Sequence, residues 1–199
     1  MSHQSQLVAT VPVMNQPTTT TTTVYRKRKL LLSILFKFIS CGNTSGKRIP
    51  IFILCATIVQ IVLFVVMCSV HGLEKAYLNP MIGPSMTVLV KWGAKDTSKI
   101  ANKYQFFRFV SPILLHSGVV HLIFNLMWQL TVGLRCEMYW GMWRVAFIYV
   151  VSGFGGVLLS CVFERKLVSV GASSSLSGMF SAMLADLILN WNNRHVIKY

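Results

Sequence analysis

Two stretches of this chain hold residue types that could do chemistry. Val170-Gly171-Ala172-Ser173-Ser174-Ser175-Leu176-Ser177-Gly178 opens the last long apolar run, in which Asp186 is the only ionisable side chain between Leu167 and Trp191. Such a run can cross a bilayer, which takes about 20 apolar residues. A hydroxyl in hydrocarbon must find a hydrogen-bond partner, because leaving it unpaired is costly. On one reading the serines bond back to their own helix and the small residues let two membrane helices approach closely. On the other, Ser173, set beside glycine and alanine, is an exposed nucleophile. The second stretch runs from Arg108 to Arg135 with no Asp, Glu, Lys or Arg between them, yet contains His116, His121 and Asn125. His121 and Asn125 stand at i and i+4 and share one helix face. Polar side chains inside a membrane carry an insertion cost, so each is a functional candidate. Bonding a neighbouring helix is the competing account.

The elements that must position these residues follow from composition. The 199 residues are 54% hydrophobic and 12% charged, with mean hydropathy +0.59. A soluble domain carries about 25% charged residues, so the composition points to an all-α, polytopic helical membrane protein. The net charge of +14 would suit nucleic acid as a partner, but basic residues flanking spans and touching anionic lipid fit this composition better. Cys41, Cys55, Cys68, Cys136 and Cys161 show no metal-ligand spacing and read as small packing residues.

Residues 1–49 form a Thr-rich and basic tail, expected to be disordered and cytosolic. The cluster Arg26-Lys27-Arg28-Lys29 lies too deep in the chain for a signal peptide, and reads as a segment lying on the membrane surface. Residues 50–199 hold four expected spans, about 51–70, 109–132, 145–163 and 168–190. Lys47 and Arg48 flank the first span, so the positive-inside rule puts the N-terminus in the cytosol. The connection from His71 to Arg108 mixes tryptophan, apolar residues and Asn-Pro and Gly-Pro turns. That mixture predicts an ordered loop at the membrane surface. With this topology spans two and four run in the same direction. Ser173 falls in the first turns of span four, and His121 and Asn125 fall three to four turns into span two.

An ordered set of motifs from about Asn79 to Trp191 resembles the rhomboid family of intramembrane serine proteases. Asn79-Pro80, Gly83-Pro84-Ser85 and Gly93-Ala94-Lys95 are similar to the first-loop pattern of eukaryotic rhomboids. Phe107-Arg108 takes the place of the family's Trp-Arg pair. The spacing His116-x-x-x-x-His121-x-x-x-Asn125 matches the second-span motif, and Glu137 with Gly141 fits the Glu-x-x-x-Gly after it. Gly171-Ala172-Ser173-Ser174 matches the nucleophile motif, and Ala185-Asp186-Leu187 with Asn190-Trp191 matches its downstream end.

The resemblance implies a rhomboid-like bundle of which four of six or seven spans are present. It implies Ser173 as nucleophile, with His121 and Asn125 joining the Ser173 backbone N–H in an oxyanion hole. Asn and neutral His supply N–H donors without adding a buried charge, and one such donor is worth about 3–4 kcal/mol. His116, Arg108 and Glu137 are implied as scaffold residues holding the first loop, and Gly171 as a structural residue of the nucleophile motif. Small residues at Ser174, Ser175, Ser177, Gly178, Ser181 and Ala182 would leave room for another helix.

The implied substrates are single-span membrane proteins within the lipid bilayer, and no metal or organic cofactor is implied. The family's general base is a histidine on its last core span. After Ser173 this chain has His195, which lies beyond span four, roughly 33 Å along a helix from Ser173. The base is therefore expected outside the chain, and the chain as given is expected to be inactive. The alternative is a non-catalytic rhomboid-like protein that binds transmembrane helices. A transporter fragment using His121 and Asp186 as a polar pathway would leave the Gly-x-Ser motif unexplained.

Overall fold

The computed structural model describes residues 49–190, which form a helical membrane bundle. Of the Thr-rich and basic tail expected over 1–49, residues 1–48 lie outside the described residues, as do Trp191 and His195. α1 spans Ile51–His71. The loop after it carries two short helices, α2 (Met86–Trp92) and α3 (Thr97–Lys103), then two 3-10 turns at Phe106–Phe109 and Ser111–Leu114. α4 runs Val119–Trp140, α5 Met142–Phe163 and α6 Ser173–Leu189. Apart from α6, the long helices each have the length and hydropathy to cross a membrane. They turn Ile58, Val62, Val66, Phe147, Val151 and Leu159 outward, as lipid-facing helices do.

α1 runs antiparallel to α4. At one end Ile53 packs with Cys136 and Trp140, and at the other Phe64 and Met67 pack with Leu122. The first N–H groups of a helix lack internal acceptors. In α1 two of them are taken by one carboxylate: Phe52 N and Ile53 N each donate to Glu137 at 2.8 Å. A negative charge there also complements the helix dipole. Glu137 therefore anchors the start of α1, at the end of the bundle away from the first loop that it was expected to hold.

Small residues set the spacing of α5 and α6. A methyl group on Gly156 would strike Ser174, one on Gly153 would strike Ser175, and one on Gly178 would strike Ser152. Ser174, Ser175 and Gly178 thus face α5, and of the small residues expected to receive another helix only part of the set remains open. Across the bundle, Gln60, Thr57, Gln129 and Tyr149 form a connected hydrogen-bond network. Tyr149 O–H donates to Gln129 Oε1 (2.8 Å), and Gln129 Nε2 donates to Gln60 Oε1 (3.0 Å) and Thr57 Oγ1 (2.9 Å). Gln60 Nε2 donates to the Tyr149 oxygen (2.9 Å) and to the Ile113 carbonyl (3.3 Å). Gln129 opens a π turn, Gln129–Gly133, the one irregularity in α4.

Helix boundaries differ from those expected in two places. The second span was expected at 109–132, but the helix occupies 119–140. Phe106–Leu114 is apolar enough to read as membrane helix, yet it folds as two 3-10 turns with Pro112 in the second. His121 accordingly lies in the first turn of α4, not three to four turns in. The fourth span was expected from 168, but Val168–Ala172 is not helical. Ser169 there makes an isolated antiparallel bridge with Lys95, and Gly171 has φ +123°. α6 therefore has 17 residues, about 26 Å at 1.5 Å per residue, shorter than the roughly 30 Å of a bilayer core.

Candidate active site

α6 begins at Ser173, so the serine stands at a helix N-terminus, with Ala172 as N-cap residue. The segment before it is held at several points. Gly171 N–H donates to the Pro112 carbonyl at 2.8 Å, and Lys95 N–H donates to the Ser169 carbonyl at 3.0 Å. The Lys95 side chain is fully buried, and its Nζ donates to the carbonyls of Glu164 (2.6 Å) and Leu167 (2.7 Å). A lysine of the first loop thus fixes the connection that delivers the serine. Its partners are backbone carbonyls some seventy residues away, which leave no trace in the sequence.

Arg108, also buried, holds the same loop. One guanidinium nitrogen donates to the carbonyls of Val90 (2.8 Å) and Ala94 (2.7 Å), and Nε donates to Gln105 (2.7 Å). The loop in turn packs on the start of α4. The N–H groups of Val119 and Val120, which have no side-chain cap, donate to the carbonyls of Ile82 and Met81. Gly118 lies against Met81, and Gly83 against Ser117, with no room for a side chain at either glycine. Asn79 completes the clasp, its Nδ2 donating to the carbonyls of Ser117 (2.9 Å) and Pro84 (3.1 Å). Asn79 and Lys95 were read only as parts of a loop pattern; their hydrogen bonds give them work.

This framework brings the predicted site residues together. The His121 ring lies over Gly171: a Cβ built on that glycine would sit 2.7 Å from Cε1 and 2.9 Å from Nε2. A side chain there would displace the ring, and φ +123° also disfavours one. Asn125, one turn further along α4, is buried, and its Nδ2 donates to the His121 carbonyl at 2.9 Å. Among the described residues that leaves one amide proton of Nδ2 unused and Oδ1 without a partner. Asn125 and Ser173 line one cleft of about 440 Å³ between α4 and α6. Phe124, Met127 and Trp128 form one wall, and Leu176, Ser177, Phe180 and Ser181 the other. Trp128 and Phe180 meet with ring centroids 5.8 Å apart.

His116 is fully buried beside His121, ring centroids 5.4 Å apart, and neither ring nitrogen has a partner in hydrogen-bond geometry among the described residues. Burial, reinforced by the neighbouring His121, pushes its pKa from 6.5 down to about 4, against a weak upward pull from the Leu114 backbone. His116 is thus a neutral ring at physiological pH that supports His121 by contact. No side chain among the described residues hydrogen-bonds the Ser173 hydroxyl. His71 is engaged elsewhere, edge-on to Trp92. Asp186, considered as part of a polar pathway, is buried near the far end of α6 and accepts from Asn190 Nδ2 at 2.7 Å. Chemically the site offers a hydroxyl at a helix N-terminus, where developing negative charge is favoured, with an amide and an imidazole ring from the facing helix beside it.

Comparison with known proteins gives a consistent picture. A rhomboid domain model matches residues 103–198. RHOMBOID-like protein 7 of Arabidopsis thaliana is 46% identical over 113 residues, which is 57% of this chain and 36% of that protein. Inactive RHOMBOID-like protein 8 of the same plant is 35% identical over 114 residues, 57% of this chain and 32% of that protein. Rhomboid-type serine protease 2 of Emericella nidulans is 28% identical over 206 aligned positions, 74% of this chain and 41% of that protein. The chain thus spans well under half the length of these relatives.

Proposed function

This chain is a rhomboid-family protein, and we propose that it carries the nucleophile and oxyanion hole of a serine endopeptidase that cuts transmembrane segments within the bilayer. The family comprises intramembrane proteases and inactive relatives. What supports the protease reading is the convergence of Ser173, Asn125 and His121 at one end of α4 and α6. In the mechanism Ser173 Oγ attacks the substrate carbonyl. The tetrahedral oxyanion is met by N–H groups from Asn125 Nδ2, His121 Nε2 and the Ser173 backbone. These donors are preorganised in a site of low dielectric, where they act most strongly. A peptide bond inside an intact helix is shielded, so the substrate segment must unwind locally to present its carbonyl.

The proton on Ser173 needs a base. His116 and His121 are packed on the oxyanion side, so we propose that the base reaches Ser173 from a further helix seated in the cleft between α4 and α6. Ser177 and Ser181 line that cleft and are small enough to admit one. Basic residues upstream of α1 put the N-terminus in the cytosol on this reading, with Ser173 toward the opposite face.

The test is covalent labelling of the full-length protein with a fluorophosphonate probe. Wild type is expected to label and Ser173→Ala to abolish labelling; wild type that never labels overturns the reading. The second reading is a non-catalytic rhomboid-like protein that grips transmembrane helices in the same cleft. It is favoured by the absence, among the described residues, of a base bonded to Ser173, and it predicts helix binding that survives Ser173→Ala.

A further inference from the structure

The His121 ring is held from its far side. Ser117, the residue preceding the glycine before α4, has its Oγ 2.9 Å from His121 Nδ1. Nδ1 is the nitrogen turned away from the serine segment: it lies 3.9 Å from the point where a Gly171 Cβ would be, against 2.9 Å for Nε2. The two ring nitrogens therefore have separate surroundings, one facing Ser117 and one facing the site. A neutral imidazole carries a single proton, and the partner of one nitrogen decides which atom bears it.

We infer that Ser117 is a positioning residue whose hydroxyl donates to Nδ1 and so keeps the His121 proton on Nε2, facing the nucleophile. Two observations carry the direction of that bond. Nδ1 is the only hydrogen-bond partner of the Ser117 hydroxyl among the described residues. Donation satisfies the hydroxyl proton and the Nδ1 lone pair together, whereas the reverse direction leaves the hydroxyl proton without an acceptor. The Ser117 backbone is also fixed independently of the ring, its carbonyl accepting from Asn79 Nδ2 at 2.9 Å. The first loop therefore sets where the hydroxyl stands, and the hydroxyl sets which proton the site receives.

The inference rests on the proposed oxyanion role of His121 for its importance, but its test does not need catalysis. Full-length protein labelled with ¹⁵N-histidine, with His121 assigned by its loss in His121→Asn, reports the tautomer through the ¹⁵N shifts of the ring at neutral pH. In wild type Nε2 is expected to be protonated and Nδ1 bare. Ser117→Ala is expected to move the population toward Nδ1–H, and Ser117→Thr, which keeps the hydroxyl, to restore the wild-type shifts. Nδ1 protonated in wild type, or shifts unaltered in a folded Ser117→Ala, overturns the inference. Should Ser117→Ala not fold, the wild-type shifts still decide. Fluorophosphonate labelling of Ser173 is expected to slow about tenfold in Ser117→Ala and recover in Ser117→Thr. A wild type with the expected tautomer that never labels refutes the protease reading and leaves the tautomer assignment standing.

Discussion

At Gln60, Gln129 and Tyr149 every amide proton of both glutamines and the tyrosine hydroxyl are engaged, and the three side chains tie α1, α4 and α5 together. At His116, Asn125 and Ser175, also buried, both His116 nitrogens, Asn125 Oδ1 and Ser175 Oγ have no partner among the described residues. Both groups pay the same desolvation, so the difference lies in what the polar atoms are for. A buried polar network with every proton satisfied is rigid and holds a specific packing. Unpaired polar atoms cost stability, and beside them the second amide proton of Asn125 Nδ2 is the donor that the proposed mechanism gives to charge developing during a reaction. On the proposed reading the bundle separates adhesion, in the Gln60–Gln129–Tyr149 network, from chemistry, at the end where α6 begins.

The largest effect that would sharpen this contrast is at Asn125. Asn125→Ala is expected to lower turnover of a transmembrane reporter by roughly 100-fold or more, as loss of one oxyanion donor does, with the thermal unfolding midpoint barely moved. Unchanged turnover would move Asn125 to the adhesive class.

His116 gives the next effect, on stability against pH. Its pKa is near 4 in the fold and about 6.5 when unfolded. The unfolded chain therefore takes up the proton first as pH falls. The stabilisation is whole above about pH 6.5 and is lost as pH drops toward 4, at a limit of about 1.4 kcal/mol per pH unit. Thermal unfolding from pH 7.5 to 4 is expected to show this slope in wild type and a flatter one in His116→Gln. Equal slopes would remove His116 from the account.

Tyr149→Phe should come third. It strips Gln129 Oε1 of its donor and Gln60 Nε2 of an acceptor, which costs about 1–3 kcal/mol, while turnover per folded molecule stays within twofold. The smallest effect is expected from replacing the network whole. Thr57→Val, Gln60→Leu, Gln129→Leu and Tyr149→Phe together should fall within about 1 kcal/mol of wild type, because no orphaned side-chain partner is left. A quadruple variant less stable than Tyr149→Phe alone would break the contrast, since the network would then carry more than mutual satisfaction.

How far the sequence disclosed these two regions differs as well. His121 and Asn125 were readable because they stand at i and i+4 on one helix face, His116 because it is a polar side chain inside an apolar run, and Ser173 because glycine and small residues surround it. The start of the helix carrying His121 was not readable, since Phe106–Leu114 is as apolar as a span and only its backbone, turned by Pro112, departs from one. The adhesive network left no pattern. Thr57, Gln60, Gln129 and Tyr149 are single polar residues on three separate helices, and only the packing of those helices joins them. Ser117 and Lys95 escaped for the same reason, because what defines them is a partner and not a spacing.

The π turn of α4 carries one more residue than a regular helical ladder needs. Each residue of an α-helix advances the face by about 100°, so the turn acts as a phase step. Before it, His121 and Asn125 keep the register that faces α6; after it, Glu137 keeps the register that reaches the N–H groups of Phe52 and Ile53. Winding Gln129–Gly133 into regular α-helix with every residue kept would rotate the second half against the first, uncapping α1 while leaving the serine end in place. The same helix thus serves two partners whose registers, in this sequence, are brought into phase by the π turn between them.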